Sequence, residues 1–333
     1  MLRFAQPART SCAVLTERPV WYLTVSHPDA GWTGVGECAP LDGLSIEALA
    51  DIEPMLETLR ENPALLCDLE HPRLRAFPSV MFAIETALLH YGAGGGTVIL
   101  PGNFTERRRR IPINGLIWMG DFSSMKEQID RKLADGYHCL KLKIGGLAFE
   151  DELALLRHIR SRYAAADLTL RLDANGAFPP DKAADLLGAL SQFSIHSIEQ
   201  PIKAGQIEAL ARLCRTSPIP IALDEELIGA AASGSVAELL DRTMPAYVVL
   251  KPSLLGGFWM CSSVIARAKE RGIGFWITSA LESNVALNYI AQWSATVCDP
   301  RAIQGLGTGL LYSNNTQSLL SMSRGELTFT GRT

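Results

Sequence analysis

Apolar stretches that end on a charged residue recur through the second two-thirds of this chain, and their spacing constrains the fold more than any other feature. Residues 168–173, 195–199 and 219–224 each close on an acid, residues 246–251 close on a base, and residues 138–143 carry two bases at their end. Asp173, Glu199, Asp224 and Lys251 stand 26, 25 and 27 residues apart. Helix-like runs fill the intervals, among them 123–135, 149–163 and 181–192. Strands that alternate with helices pair in parallel and carry the helices outside. Strands are expected near 111–116, 138–143, 168–173, 195–199, 219–224, 246–251 and 273–278, with a weaker eighth near 302–304. Such a series closes into a barrel, so the expected class is α/β, a modified (β/α)7β TIM barrel. Charged residues at successive strand tips then share one rim, where such barrels keep their chemistry.

Residues 1–110 lack this alternation. Short strands are expected at 13–15 and 20–25, a Gly-rich third strand edge at 31–37 and a loop at 38–45. A helix starting near Ile46, capped by Ser45, and a second over 77–90 complete an α+β capping module. The barrel occupies 111–309. The tail, 310–333, has strand-like ends and is expected to return to the first module. Gly92 to Gly96 and Arg107 to Arg110 mark a linker. Four arginines also suit an anion site, but no aromatics are interleaved and the net charge is −4, which favours a solvated linker.

Bulk properties narrow the function classes. At 333 residues and 47% apolar content, the chain has the composition for a large core. Its acidic balance gives no reason to expect nucleic acid. No apolar run approaches the roughly 18 residues that a membrane span needs. Seven cysteines without a CxxC pair, and no export segment at the N-terminus, give the cytoplasm as the expected location. Gly305 to Gly309 lacks the strand–helix context of a dinucleotide fingerprint. No feature specifies an oligomeric state.

Residues i and i+2 of a strand share a face, so Lys141 and Lys143 point the same way and Leu140 and Leu142 point outward. Neighbouring ammonium groups repel, which lowers one lysine pKa and makes it a base near neutrality; the alternative is a tip where both lysines reach water. Asp173, Glu199 and Asp224, one unit apart, offer three hard oxygen ligands without His or Cys. That set suits Mg²⁺, with Mn²⁺ as an alternative, better than zinc. The competing reading has each acid capping the next helix. Lys251 faces Lys143 across the barrel as a second acid/base or as a cation that steadies negative charge. Asn175 shares the face of Asp173. Gln200 and Glu225, each following an acid, support the site or are merely exposed. Residues 279–284 open a helix, and free N–H groups there suit a carboxylate; Ser279 contacts substrate or simply caps.

Lys141-Leu142-Lys143, Asp173-Ala174-Asn175, Glu199-Gln200-Pro201, Asp224-Glu225 and Lys251-Pro252 together resemble the muconate-lactonizing subgroup of the enolase superfamily. The likeness covers nearly the whole chain. Within the subgroup, residues 40–45, Ile113-Asn114-Gly115, residues 279–284 and the tail from Gly307 to Asn315 look like the o-succinylbenzoate synthases of menaquinone biosynthesis. The resemblance implies a Mg²⁺-dependent syn-dehydration of a small carboxylate substrate through a metal-stabilised enediolate. It makes Lys143 the base, Lys251 the opposing cation, and Asp173, Glu199 and Asp224 the metal ligands. Lys141, Asn175, Ser279 and Asn114 are its substrate-binding or supporting residues, Gln200 and Glu225 stand behind them, and the 38–45 loop closes over the substrate. Dipeptide epimerases and N-acylamino acid racemases share the barrel motifs and are the rival activities. A barrel without catalysis, serving as a scaffold, is the rival of another class.

Overall fold

The computed structural model describes residues 1–9, 14–69 and 71–332. The strand expected over 13–15 begins at Ala13, which lies outside the described residues. The N-terminal part opens with two antiparallel pairs, β1 (Leu2–Arg9) with β2 (Val14–Arg18), and β3 (Trp21–Ser26) with β4 (Thr33–Cys38). Helices α1 (Leu49–Glu61), α2 (Pro72–Arg75) and α3 (Pro78–Gly92) follow. The Gly-rich segment expected as a strand edge is β4, one edge of a two-stranded sheet. It pairs with β3, and α3 lies so close above it that a Cβ at Gly36 would come within 1.8 Å of the Ala83 carbonyl oxygen. Ile52, Met55, Leu59, Leu74, Val80 and Ile84 form a small core there.

Ser45 does not cap α1. Its Oγ accepts a hydrogen bond from Leu41 N at 2.8 Å, and α1 starts only at Leu49. A serine competes in this way for local backbone, here closing the 41–45 loop on itself.

The alternating part runs β5 (Ile111–Pro112), β6 (Gly115–Ile117), α4 (Phe122–Ala134), β7 (Cys139–Lys143), α5 (Phe149–Arg160), β8 (Thr169–Asp173), α6 (Ala183–Ser191) and β9 (Ser197–Glu199). It continues α7 (Ile207–Thr216), β10 (Ile221–Leu223), α8 (Glu225–Ser233), α9 (Val236–Thr243), β11 (Tyr247–Leu250), α10 (Pro252–Leu255), α11 (Gly257–Glu270), β12 (Gly274–Ile277) and α12 (Asn284–Val297). Strands β6 to β12 form one curled parallel sheet in sequence order. The weak eighth strand is a two-residue bridge. Gln304 pairs with Ile113 and Gly305 with Thr278, which joins the two sheet edges. The strand expected over 111–116 is split, because Pro112 has no N–H for a parallel ladder. Ile111 and Pro112 instead pair antiparallel with β14 (Glu326–Phe329), itself the partner of β13 (Leu320–Ser323).

The tail also meets the first strand, with Ala5 N donating to Leu311 O at 2.8 Å and Phe4 bridging Tyr312. Arg107, Arg108 and Arg110 are exposed, as a solvated linker requires, and the run also ties the chain to its tail and to α12. Arg109 donates to the Ala295 and Cys298 carbonyls at the end of α12, Arg107 to Gly331 O, and Arg110 pairs with Glu326. A helix C-terminus leaves carbonyls that a guanidinium satisfies well. No described helix is long and apolar enough to cross a membrane.

Candidate active site

Parallel register places the charged tips side by side. Lys143 lies opposite Asp173, and Asp173 opposite Glu199. The outward leucines of β7, Leu140 and Leu142, are fully buried under the helices, which turns Lys141 and Lys143 inward. Lys141 Nζ lies 2.9 Å from Asp173 Oδ2 and also pairs with Glu199 Oε2. Lys143 Nζ lies 3.1 Å from Asp173 Oδ2 and 2.6 Å from Asn175 Oδ1. Lys251 Nζ donates to Asp224 Oδ2 at 2.5 Å. The three acids are almost wholly buried. Asp224 stands at the N-cap of α8 but makes no side-chain cap bond, so capping does not explain it.

Burial disfavours every charge here, and neighbours decide the outcome. For Lys141, the carboxylates of Asp173, Glu199 and Asp224 outweigh burial and raise its pKa. The lysine–lysine repulsion expected from the sequence therefore does not govern Lys141. Lys251 is raised in the same way by Asp224 and Glu225 against burial. Burial pushes Asp173 up, but Lys141, Lys143 and Lys251 together hold it below the usual carboxylate range. Glu199 is pushed up to about 7 by burial and by the charges of Asp173 and Asp224, against the pull of Lys141. Glu225 is pushed up to about 7 by burial and by Asp224.

Among the described residues, no three acid, histidine or cysteine side chains gather closely enough to hold an ion as they stand. The lysine ammonium groups lie against the carboxylates instead. The residues nevertheless fit a hard divalent cation. Their donors are all oxygen, and Glu199 Oε1 is buried with no hydrogen-bond partner among the described residues. The four carboxylates Asp173, Glu199, Asp224 and Glu225 outnumber the three lysines by one.

The supporting residues are built in. Asn175 Nδ2 donates to Glu225 Oε1 at 2.8 Å, which turns its oxygen toward Lys143. Gln200 is fully buried; its amide donates to Ile202 O and Glu226 Oε2 and accepts from Asp224 N and Glu226 N. Both have positive φ, 43° at Asn175 and 39° at Gln200, backbone strain of about 1–3 kcal/mol each that the surrounding bonds hold. Asn114 lines the cavity with its Oδ1 buried and unpartnered among the described residues.

Ser279 lines the cavity but is committed elsewhere. It donates to Glu282 Oε2 at 2.6 Å and accepts from Thr308 Oγ1 and Leu281 N. The helix start expected there is α12, capped by Ser283, and its free N–H groups are already taken. Glu37 of β4 accepts from Ser283 N at 2.7 Å, Ser283 Oγ at 2.5 Å and Ala286 N at 3.0 Å. The carboxylate that fits this helix end is the chain's own. Sequence reasoning missed Glu37, Glu226 and Glu282, which nothing in their spacing distinguishes. It also missed Arg18, a buried guanidinium that donates to the Ala280, Leu281 and Pro40 carbonyls and joins the 38–45 loop to the seventh strand's exit.

The cavity above the strand tips measures about 600 Å³. Its walls are largely apolar, with Leu41 and Leu44 of the loop, Leu116, Trp118, Ile228 and Leu281, over a floor of Lys141, Lys143, Asp173 and Lys251. Residues 124–327 match the family model "Enolase C-terminal domain-like". The o-succinylbenzoate synthase of Desulfotalea psychrophila is 45% identical over 98% of this chain and 96% of its own length. The chain belongs to the o-succinylbenzoate synthase family of the enolase superfamily. The crystal structure of MenC from the same organism aligns over 98% of this chain and 97% of that one, with 42% identity and a TM-score of 0.86. The fold is shared more widely: the dipeptide epimerase of Enterococcus faecalis, complexed with Mg and a dipeptide, aligns over 99% of this chain and 94% of that one at 19% identity with a TM-score of 0.82. The o-succinylbenzoate synthase family thus accounts for both the curled sheet and the N-terminal part.

Proposed function

We propose that the chain performs the o-succinylbenzoate synthase reaction of menaquinone biosynthesis, the syn-dehydration of 2-succinyl-6-hydroxy-2,4-cyclohexadiene-1-carboxylate to 2-succinylbenzoate. The full-length likeness to the Desulfotalea psychrophila enzyme carries this reading. The N-terminal α+β module, with the tail, serves as the cap of the barrel, and its 41–44 loop excludes water from the cavity.

Asp173, Glu199 and Asp224 would hold the cation, Mg²⁺ or Mn²⁺. When bound, it would supply positive charge for the substrate's ring carboxylate, worth several kcal/mol as that group gains charge; enolase-superfamily sites in general combine a lysine or histidine base with Mg²⁺. Lys143, positioned by Asp173 and Asn175, takes the proton from the ring carbon that bears the carboxylate. The electron pair of that C–H bond enters the ring as the neighbouring C–O bond breaks. Lys143 then gives its proton to the departing oxygen, which leaves as water, and the ring becomes aromatic. Proton and hydroxyl leave the same face, so one base serves both steps. Lys251, paired with Asp224 and with its pKa raised, remains an ammonium and steadies the anion.

The test is a Mg²⁺-dependent absorbance assay with the cyclohexadiene acid. Turnover that needs the ion supports the reaction. An untouched cyclohexadiene acid, with N-acylamino acids or dipeptides taking up solvent deuterium, would assign the chain to racemisation or epimerisation instead.

A further inference from the structure

The substrate of the proposed reaction carries two carboxylates, one on the ring and one at the end of the succinyl arm. The ring carboxylate belongs with the strand-tip acids and their cation. The second needs a counter-charge, because the cavity walls are mainly apolar and an unpaired charge there is costly. The helix start that the sequence suggested for a carboxylate, and Ser279, suggested for substrate contact, are both taken. Glu37 fills the start of α12, and Ser279 gives its hydrogen to Glu282.

Four lysines line the cavity: Lys141, Lys143, Lys203 and Lys251. Three are ion-paired with strand-tip acids. Lys203 is exposed at the mouth and pairs with no described carboxylate. Its backbone is firmly placed. Gly176 packs against it so closely that a Cβ at that glycine would lie 2.8 Å from Lys203 Cα. On either side Gln200 Nε2 holds the Ile202 carbonyl at 3.1 Å, and Glu226 holds Gly205 N at 2.9 Å. A flexible cationic arm on a fixed stem, in a lining whose exposed acid Asp42 makes no ion pair with it, suits an anion that arrives with the substrate.

Resting on the reading above, we infer that Lys203 recognises the succinyl carboxylate and selects substrates with an acidic arm. It is a specificity residue that takes no part in proton transfer.

Calorimetric titration with 2-succinylbenzoate, and with its analogue whose succinyl carboxylate is a primary amide, tests this in the presence of Mg²⁺. Lys203→Ala is expected to weaken the diacid roughly tenfold and the amide by less than about twofold, and Lys203→Arg to keep most of the affinity. In turnover the Lys203→Ala loss is expected in KM, with kcat within about threefold. Equal weakening of acid and amide would overturn the inference, because it would report a disturbed loop and not a lost charge pair. So would unchanged affinity for both. Wild type that does not dehydrate the cyclohexadiene acid would contradict the proposed reaction itself, an outcome read separately from the Lys203 comparison.

Discussion

Two sets of acids withdrawn from solvent in this molecule are held in opposite ways. Along the seam between the N-terminal part and the barrel, Glu37 takes three donors at the start of α12, and Glu85 takes Phe258 N at 2.5 Å and Trp259 N at 2.9 Å at the start of α11. At the strand tips, Asp173, Glu199 and Asp224 lean on lysine ammonium groups. A backbone N–H cannot leave its acceptor without local unfolding. An ammonium at the end of a four-carbon stem can be exchanged for a cation or a substrate. The seam acids therefore tie the parts together, and the strand-tip acids keep partners that can be exchanged.

The sharpest way to break that contrast is to remove one member of each set. Lys143→Ala is expected to cut kcat by ~10³-fold or more while the thermal midpoint barely moves, measured by the absorbance assay and by calorimetry. Glu37→Ala is expected to do the reverse. It leaves the donors of Ser283 and Ala286 buried and unpaired, and is expected to lower stability by about 2–4 kcal/mol in urea titrations, with kcat little changed below the transition. A Glu37 variant of wild-type stability would place the seam acids among the dispensable ones.

Ion binding sharpens the same comparison. Mg²⁺ is expected to raise the thermal midpoint of wild type by mass action, and a chelator to abolish activity reversibly. Glu199→Gln is expected to lose most of that Mg²⁺ shift. Glu37→Ala is expected to retain it, although its starting midpoint is lower.

The smallest effect is in pH. Burial pushes the Glu85 carboxyl up to about 7, against its bonds to Phe258 and Trp259 N–H. An acid with its folded pKa above the unfolded value of 4.5 contributes stability that is complete below about 4.5 and is lost as pH rises through about 7. Wild type is expected to lose stability over that window, and Glu85→Gln to flatten the slope, followed by denaturation midpoints from pH 5 to 8.

The barrel was legible because its apolar strands end on charges one β/α unit apart, a pattern that survives without knowledge of contacts. Lys143, Asp173 and Glu199 share one register for the same reason, and Asp224 and Lys251 directly follow the last residues of β10 and β11. The seam was not legible. Glu37 and Ser283 are 246 residues apart, and nothing local marks either as half of a pair. Ser45 misled because a serine before an apolar run suits both a cap and a self-closed turn, and only the path of the loop decides. At Lys141 the expected repulsion is outweighed, because the acids that dominate it come from neighbouring strands and no local pattern shows them.

The most direct measurement follows water loss from the cyclohexadiene acid in wild type and Lys143→Ala, with and without Mg²⁺, alongside the mutant's Mg²⁺-induced thermal shift. The expected result is ion-dependent formation of 2-succinylbenzoate by wild type only, and a mutant that still binds the ion. Dehydration that persists without Lys143, or that needs no divalent cation, would contradict the assignment of base and metal to these strand tips.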